Sequence, residues 1–440
     1  MDIIRKLITT TTTFILIAFL YSCSQTNKIS KQATTFLFSD SAIKASHIGI
    51  SIYSTAKNKL LYTHNADKYF TPASNTKLFT LYAGMKYLGD SLTGLKYFVS
   101  NDSLYVLPTG DPTLLHPYFA YQPVISFFKT NQLPITCIEN NFKTEKYGRG
   151  WAWDDCNETF MPERSALPVF GNLIKITAVN NSVATFPNIP KAKVILSTDS
   201  SIVNPVIKRS LVDNIFTVVL SNKKDSIEKE IPFTTNGIET AVNILHQDFP
   251  LIGSIKKENN LISRRYKIIK SAATDSLFKN MMHRSDNFFA EQTLLMASNE
   301  QLGYMNETDL IDTLLKSDLK NIPQKIQWVD GSGLSRYNLF TPSSFVYILD
   351  KMKNEFGMER LKIILPTGGE GTLKNYYLND RTFIYAKTGS LSNNNSLSGF
   401  LITKKGELLI FSILVNNYIT GATPVRKAIE QFLESVRNDN

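Results

Sequence analysis

Apolar and polar residues alternate over 47–53, and a turn-like stretch at 56–59 leads into a second apolar run at 60–63, a pattern that predicts a β-hairpin. After Pro72 the period changes. Leu78, Leu81, Tyr82, Met85 and Leu88 recur at three- and four-residue steps until Gly89, which predicts a helix starting near Ser74. From 97 to 267 the chain reads mostly as short β-like runs, such as 104–107, 173–179, 193–197 and 215–220, with turn residues between them. Helical spacing returns over 277–298, with shorter helices predicted at 310–315 and 343–353. The C-terminal part gives three strands, 383–391, 397–403 and 408–415, with turns at 393–395 and 404–406. An amphipathic helix over 424–436 then offers Val425, Ile429, Phe432 and Leu433 as a covering face.

A hairpin near one end, a three-stranded meander near the other and helices from both predict one α/β domain, 46–96 with 268–440, interrupted by a β-rich insertion, 97–267. A chain of 440 residues can hold both, each with its own core.

The N-terminus departs from this pattern. Arg5 and Lys6 precede a charge-free run over 7–20, too short for a comfortable membrane span, and Leu20-Tyr21-Ser22-Cys23 closes it. Residues 1–22 therefore read as an export signal. Cys23 resembles the acylated cysteine of a bacterial lipoprotein, with 23–45 as a polar tether and a membrane lipid anchor as the consequence. An exported chain in the periplasm or cell envelope permits a disulfide between Cys137 and Cys156, and two buried thiols are the alternative. No zinc, redox or cofactor motif accompanies them, so neither a metal nor a cofactor is expected. The net charge of +10 is spread along the sequence, which argues against nucleic acid as a partner.

Three short motifs then stand in a meaningful order: Ser74-Asn75-Thr76-Lys77, Ser285-Asp286-Asn287 and Lys387-Thr388-Gly389. Serine β-lactamases and penicillin-binding proteins use this order. Ser-x-x-Lys recurs elsewhere in the chain, but only Ser74 is preceded by Thr71-Pro72-Ala73 and followed by an amphipathic helix. Residues three apart share a helix face, so Lys77 can bring its amine to the Ser74 hydroxyl. It accepts that proton only when neutral, a state that burial and a second cation, Lys387, both favour. On its strand, Lys387 with Thr388 and Ser390 can receive a terminal carboxylate. Gly389 lets the backbone approach a ligand, and the N–H groups of Ser74 and Ser390 form an oxyanion hole. Ser285 is assigned a proton relay, and Asn287 the orientation of Lys77 and of the substrate amide.

With these motifs, Gly110-Asp111-Pro112-Thr113-Leu114, Ser165-Ala166-Leu167, Asp330-Gly331-Ser332-Gly333-Leu334-Ser335-Arg336 and Ser412-Ile413-Leu414-Val415-Asn416-Asn417 make most of the mature chain similar to one family. It resembles the class C low-molecular-mass penicillin-binding proteins, the D-alanyl-D-alanine carboxypeptidase/endopeptidase family. The resemblance implies a transpeptidase-like α/β fold, an antiparallel sheet with helices, carrying an inserted domain. It further implies peptidoglycan stem peptides and cross-links as substrates, β-lactam antibiotics as ligands that acylate Ser74, and substrate contacts at Asp111 and Arg336. A serine β-lactamase and a non-catalytic wall-binding protein are the alternatives on the same fold.

Overall fold

The computed structural model describes residues 26–180, 182–222, 225–257, 265–379 and 381–439. Its strands, in chain order, begin with β1 (His47–Ser54), β2 (Lys59–His64), β3 (Ser91–Ser100), β4 (Ser103–Pro108) and β5 (Ile135–Ile138). There follow β6 (Leu173–Val179), β7 (Ser182–Phe186), β8 (Lys193–Thr198), β9 (Val206–Arg209), β10 (Ile215–Leu220), β11 (Ser226–Pro232), β12 (Ile252–Lys256) and β13 (Lys267–Ala273). The last three are β14 (Ile384–Leu391), β15 (Asn394–Ile402) and β16 (Leu408–Asn416). The helices are α1 (26–33), α2 (Lys77–Tyr87), α3 (Pro123–Thr130), α4 (Glu239–Asp248) and α5 (Thr274–Arg284), then α6 (Asn287–Leu302), α7 (Glu307–Lys316), α8 (Pro342–Phe356), α9 (Met358–Ile364) and α10 (Ala422–Asp439). Among the described residues, no helix is long and apolar enough to cross a membrane.

The chain forms two compact units. The first holds the described residues up to Leu78 with Ile322–Gln327 and everything from Asn338 onward; the second holds Phe79–Asn321 and Trp328–Tyr337. The division falls after residue 78, not at the expected 96, and assigns α5, α6 and α7 to the same unit as the insertion.

In the first unit a five-stranded antiparallel sheet runs β14-β15-β16-β1-β2. Its register follows from alternation: Ile48, Ile50 and Ile52 of β1 and Phe411, Ile413 and Val415 of β16 pack in one core with Val425, Ile429, Phe432 and Val436 of α10. The predicted hairpin, meander and final helix are all present. The expected polar tether is not what the structure shows from residue 26 onward. Ile29, Ala33, Leu37 and Ile43 have no exposed surface and join the same core. Gln32 Nε2 donates to the Ser435 carbonyl at 3.1 Å and to Asp439 Oδ2 at 2.7 Å, so α1 is docked on α10. The four-residue spacing of Ile29, Ala33 and Leu37 forms a stripe that explains the docking.

The second unit contains a five-stranded sheet, β12-β5-β4-β3-β13, and two three-stranded sheets, β11-β6-β7 and β8-β10-β9. The β-rich region therefore begins at β3 and ends with β13, which pairs antiparallel with β3. Helix α6 is buried from Phe288 to Asn299 on every side, its polar Glu291 and Gln292 included, so it runs through the core and not along its surface. The single helix expected over 277–298 is divided. Ser285 adopts φ 58°, in the left-handed region that ends α5, and Asp286 caps α6 by accepting from Phe289 N at 2.9 Å.

Candidate active site

Ser74 stands in a 3-10 turn, Ala73–Thr76, that runs directly into α2. Ala73 precedes it with φ 49°, a left-handed conformation that costs a residue with a side chain about 1–2 kcal/mol. The surroundings hold this turn in place. Thr76 Oγ1 donates to the Ala73 carbonyl at 2.9 Å, and Ser396 Oγ of β15 donates to the Pro72 carbonyl at 2.7 Å. Asn75, fully buried, ties the turn to the sheet: its amide nitrogen donates to the Lys387 carbonyl at 2.6 Å and its oxygen accepts from Ser398 Oγ at 2.7 Å. Asn75 was not among the residues singled out from the sequence, since a buried amide leaves no periodic signal.

Lys77 Nζ lies 2.9 Å from Ser74 Oγ. Ser74 is half-buried and reachable, whereas Lys77 and Lys387 have no exposed surface. Lys387 Nζ donates to the Thr388 carbonyl at 2.7 Å. Burial first, and the Lys77 charge second, hold the Lys387 amine well below the usual lysine range. The second cation expected of Lys387 is thus disfavoured by its own burial. Two buried amines that repel each other titrate as a pair, and the first proton leaves easily.

β14 is an edge strand. Ala386 N donates outward to the Pro366 carbonyl, so by the two-residue period the N–H groups of Thr388 and Ser390 also point to that outer edge. Thr388 Oγ1 hydrogen-bonds Thr372 Oγ1 at 2.7 Å. The Ser390 hydroxyl oxygen accepts from Arg426 Nη2 at 2.8 Å and from Asn395 Nδ2 at 3.3 Å. Gly389 passes against the Ser74 turn where a side chain would not fit. The first unit thus brings together Ser74, Lys77, Lys387, Thr388, Gly389 and Ser390.

The remaining residues belong to the second unit. Ser285 occupies the left-handed residue between α5 and α6, and Asn287 opens α6 with its Nδ2 donating to the Phe160 carbonyl at 3.0 Å. Arg336 is exposed, at the end of a loop organised by buried Asp330. Asp330 Oδ1 accepts from Gly333 N at 2.9 Å, and its Oδ2 accepts from Ser335 N at 2.7 Å and from Trp151 Nε1 at 2.9 Å. Asp111 departs from expectation. It is 5% exposed, one oxygen accepts from Thr113 N at 2.9 Å and the other from the Ser271 hydroxyl, so it builds the turn and presents no free carboxylate to a substrate. His116 is buried, and burial followed by the Arg284 charge lowers it to about 4, which leaves it a neutral core residue.

The disulfide alternative also fails. Cys137 in β5 and Cys156 in a 3-10 turn are both free, buried thiols, and burial pushes Cys137 up to about 12, an unreactive state. The proposed signal and Cys23 lie outside the described residues.

The chain is 23% identical to the D-alanyl-D-alanine carboxypeptidase DacB of Haemophilus influenzae, over 90% of this chain and 91% of that one. Similarity to the D-alanyl-D-alanine carboxypeptidase of Actinomadura sp. strain R39 is 24%, covering 88% and 81%. Among solved structures, penicillin binding protein 4 (dacB) from Haemophilus influenzae superposes with a TM-score of 0.73 at 21% identity, covering 93% of this chain and 98% of that one. That likeness establishes the penicillin-binding fold. The model of the D-Ala-D-Ala carboxypeptidase 3 (S13) family matches residues 31–437, and with Ser74, Lys77 and Lys387 assembled as above, the chain belongs to that family.

Proposed function

We propose that this enzyme removes the terminal D-alanine from peptidoglycan stem peptides, and cuts D-alanine cross-links, through an acyl-enzyme on Ser74. The observation that carries the reading is the 2.9 Å approach of Lys77 Nζ to Ser74 Oγ beside a second buried amine. In this reading Lys77 acts in its neutral form, which its burial and the neighbouring Lys387 amine both favour. It takes the Ser74 proton as Oγ attacks the carbonyl of the penultimate D-alanine. The oxyanion is received by the N–H groups of Ser74 and Ser390, which supply stabilisation only as charge develops. The proton then passes to the departing amine, D-alanine leaves, and water hydrolyses the ester. Ser285 and Asn287 are assigned the relay and amide-orienting roles on the order of their motif in the chain and on family membership. Arg336 is retained as a substrate contact because it is exposed.

β-Lactams acylate Ser74 in this reading, consistent with a relative of the same fold solved with a bound β-lactam. Export, and a lipid anchor at Cys23, place the enzyme at its polymer. Labelled penicillin offered to wild type and to Ser74→Ala, followed by analysis of the products from isolated peptidoglycan, tests the assignment. Label on wild type only, with release of D-alanine, supports it. Fast penicillin hydrolysis without D-alanine release would identify a β-lactamase, and neither reaction would identify a binding protein.

A further inference from the structure

We infer that Arg426, on α10, is a positioning residue that sets the preference for substrates ending in a free carboxylate. The inference rests on the reading that Thr388 and Ser390 receive that carboxylate. Arg426 Nη2 donates to Ser390 Oγ at 2.8 Å, and Asn395 Nδ2 donates to the same oxygen at 3.3 Å. With both lone pairs engaged, the Ser390 hydroxyl has its own hydrogen left to give outward, so it is fixed as a donor. A donor polarised by a guanidinium is suited to an anion and poorly suited to a neutral amide or ester.

The guanidinium has charge to spare. Its Nε is buried with no hydrogen-bond partner among the described residues. Glu430, one helical turn on and the natural ion-pair partner, instead accepts from Tyr377 N at 2.5 Å. Arg426 also lies in the N-terminal half of α10, where a cation gains nothing from the helix dipole. A cavity of about 20 Å³, lined among others by Thr372, Thr388, Ser396 and Arg426, adjoins these groups, enough for one small group and no more. The arrangement is a cation held behind a hydroxyl at the open edge of β14, and its complement is a carboxylate.

The test compares a blocked peptide ending in D-Ala-D-Ala with its C-terminal amide, using wild type, Arg426→Ala and Arg426→Lys. Arg426→Ala is expected to lose roughly 10- to 100-fold in kcat/KM on the acid, mostly through KM, and less than about threefold on the amide. Arg426→Lys should recover part of the loss because it restores the charge. Equal losses on acid and amide, or no loss on either, would overturn the inference, and thermal melts of both variants separate misfolding from misrecognition. Failure of wild type to be acylated at Ser74 by labelled penicillin would instead sink the underlying reading. If wild type is acylated and the Arg426 variants behave as wild type, only the inference falls.

Discussion

A Cβ added to Gly389 would stand 2.9 Å from the Ser74 backbone nitrogen and 2.7 Å from the Pro72 carbonyl oxygen. Both neighbours are backbone, in a turn already held by Asn75 and Ser396, so neither can yield cheaply. Gly389→Ala is therefore expected to slow acylation by labelled penicillin at least 100-fold and to lower stability by about 1–3 kcal/mol. An alanine variant with wild-type acylation kinetics would mean that the close approach does not shape the nucleophile's site.

Lys387 makes a prediction in which stability and activity move in opposite directions. Its folded-state proton affinity is depressed, so between that value and the ordinary 10.5 the unfolded chain binds the extra proton, and stability falls as pH falls. Lys387→Met removes this burden and should raise stability at pH 7 by about 1–4 kcal/mol, with the gain fading towards pH 10.5. Acylation should fall by roughly 100-fold or more. Urea denaturation across that pH range, beside penicillin labelling, measures both.

Glu291 supplies a second pH dependence, in the other unit. Burial, then the Asp330 charge, raises its carboxyl from 4.5 to about 7, against the pull of Arg164, whose Nη1 lies 3.4 Å away. Here the folded state binds the proton more tightly, so stability is fully present below pH 4.5 and declines through about pH 7. The loss for this group is about 3 kcal/mol. Glu291→Gln should flatten the decline between pH 5 and 8, as read by melting temperature. An unchanged profile would assign the pH dependence elsewhere.

Leu37 reports on the docking of the N-terminal segment. It is wholly buried against α10, so Leu37→Ala should cost about 2–5 kcal/mol of stability, whereas a residue in a free tether would cost nothing. Chemical denaturation distinguishes the two.

What the sequence disclosed and what it hid have physical causes. β1 was legible from its alternating isoleucines, β16 from an almost unbroken apolar run that is buried on both faces, and α10 from the apolar stripe it buries against the sheet. Ser74, Lys77 and Lys387 were legible because their chemistry requires fixed spacing. The break at Ser285 was hidden because helical spacing continues across it, and only the capping aspartate Asp286 marks the boundary. The burial of α1 was hidden in a polar segment whose apolar residues are four apart. Arg426 was hidden more deeply, since its partner Ser390 is 36 residues away and a polar side chain on a helix carries no hint of which strand it meets.

The docked helix α1 bears on the lipid anchor proposed at Cys23. With the segment before β1 unstructured, an acyl group on Cys23 would leave more than twenty residues of leash before β1, a reach of up to about 70–80 Å at full extension. With α1 already formed at Thr26, the first of the described residues, an acylated Cys23 would stand three positions before helical chain, at most about 11 Å away. An enzyme moored so closely would work on the layer of polymer nearest its bilayer, and its substrate would have to come to it.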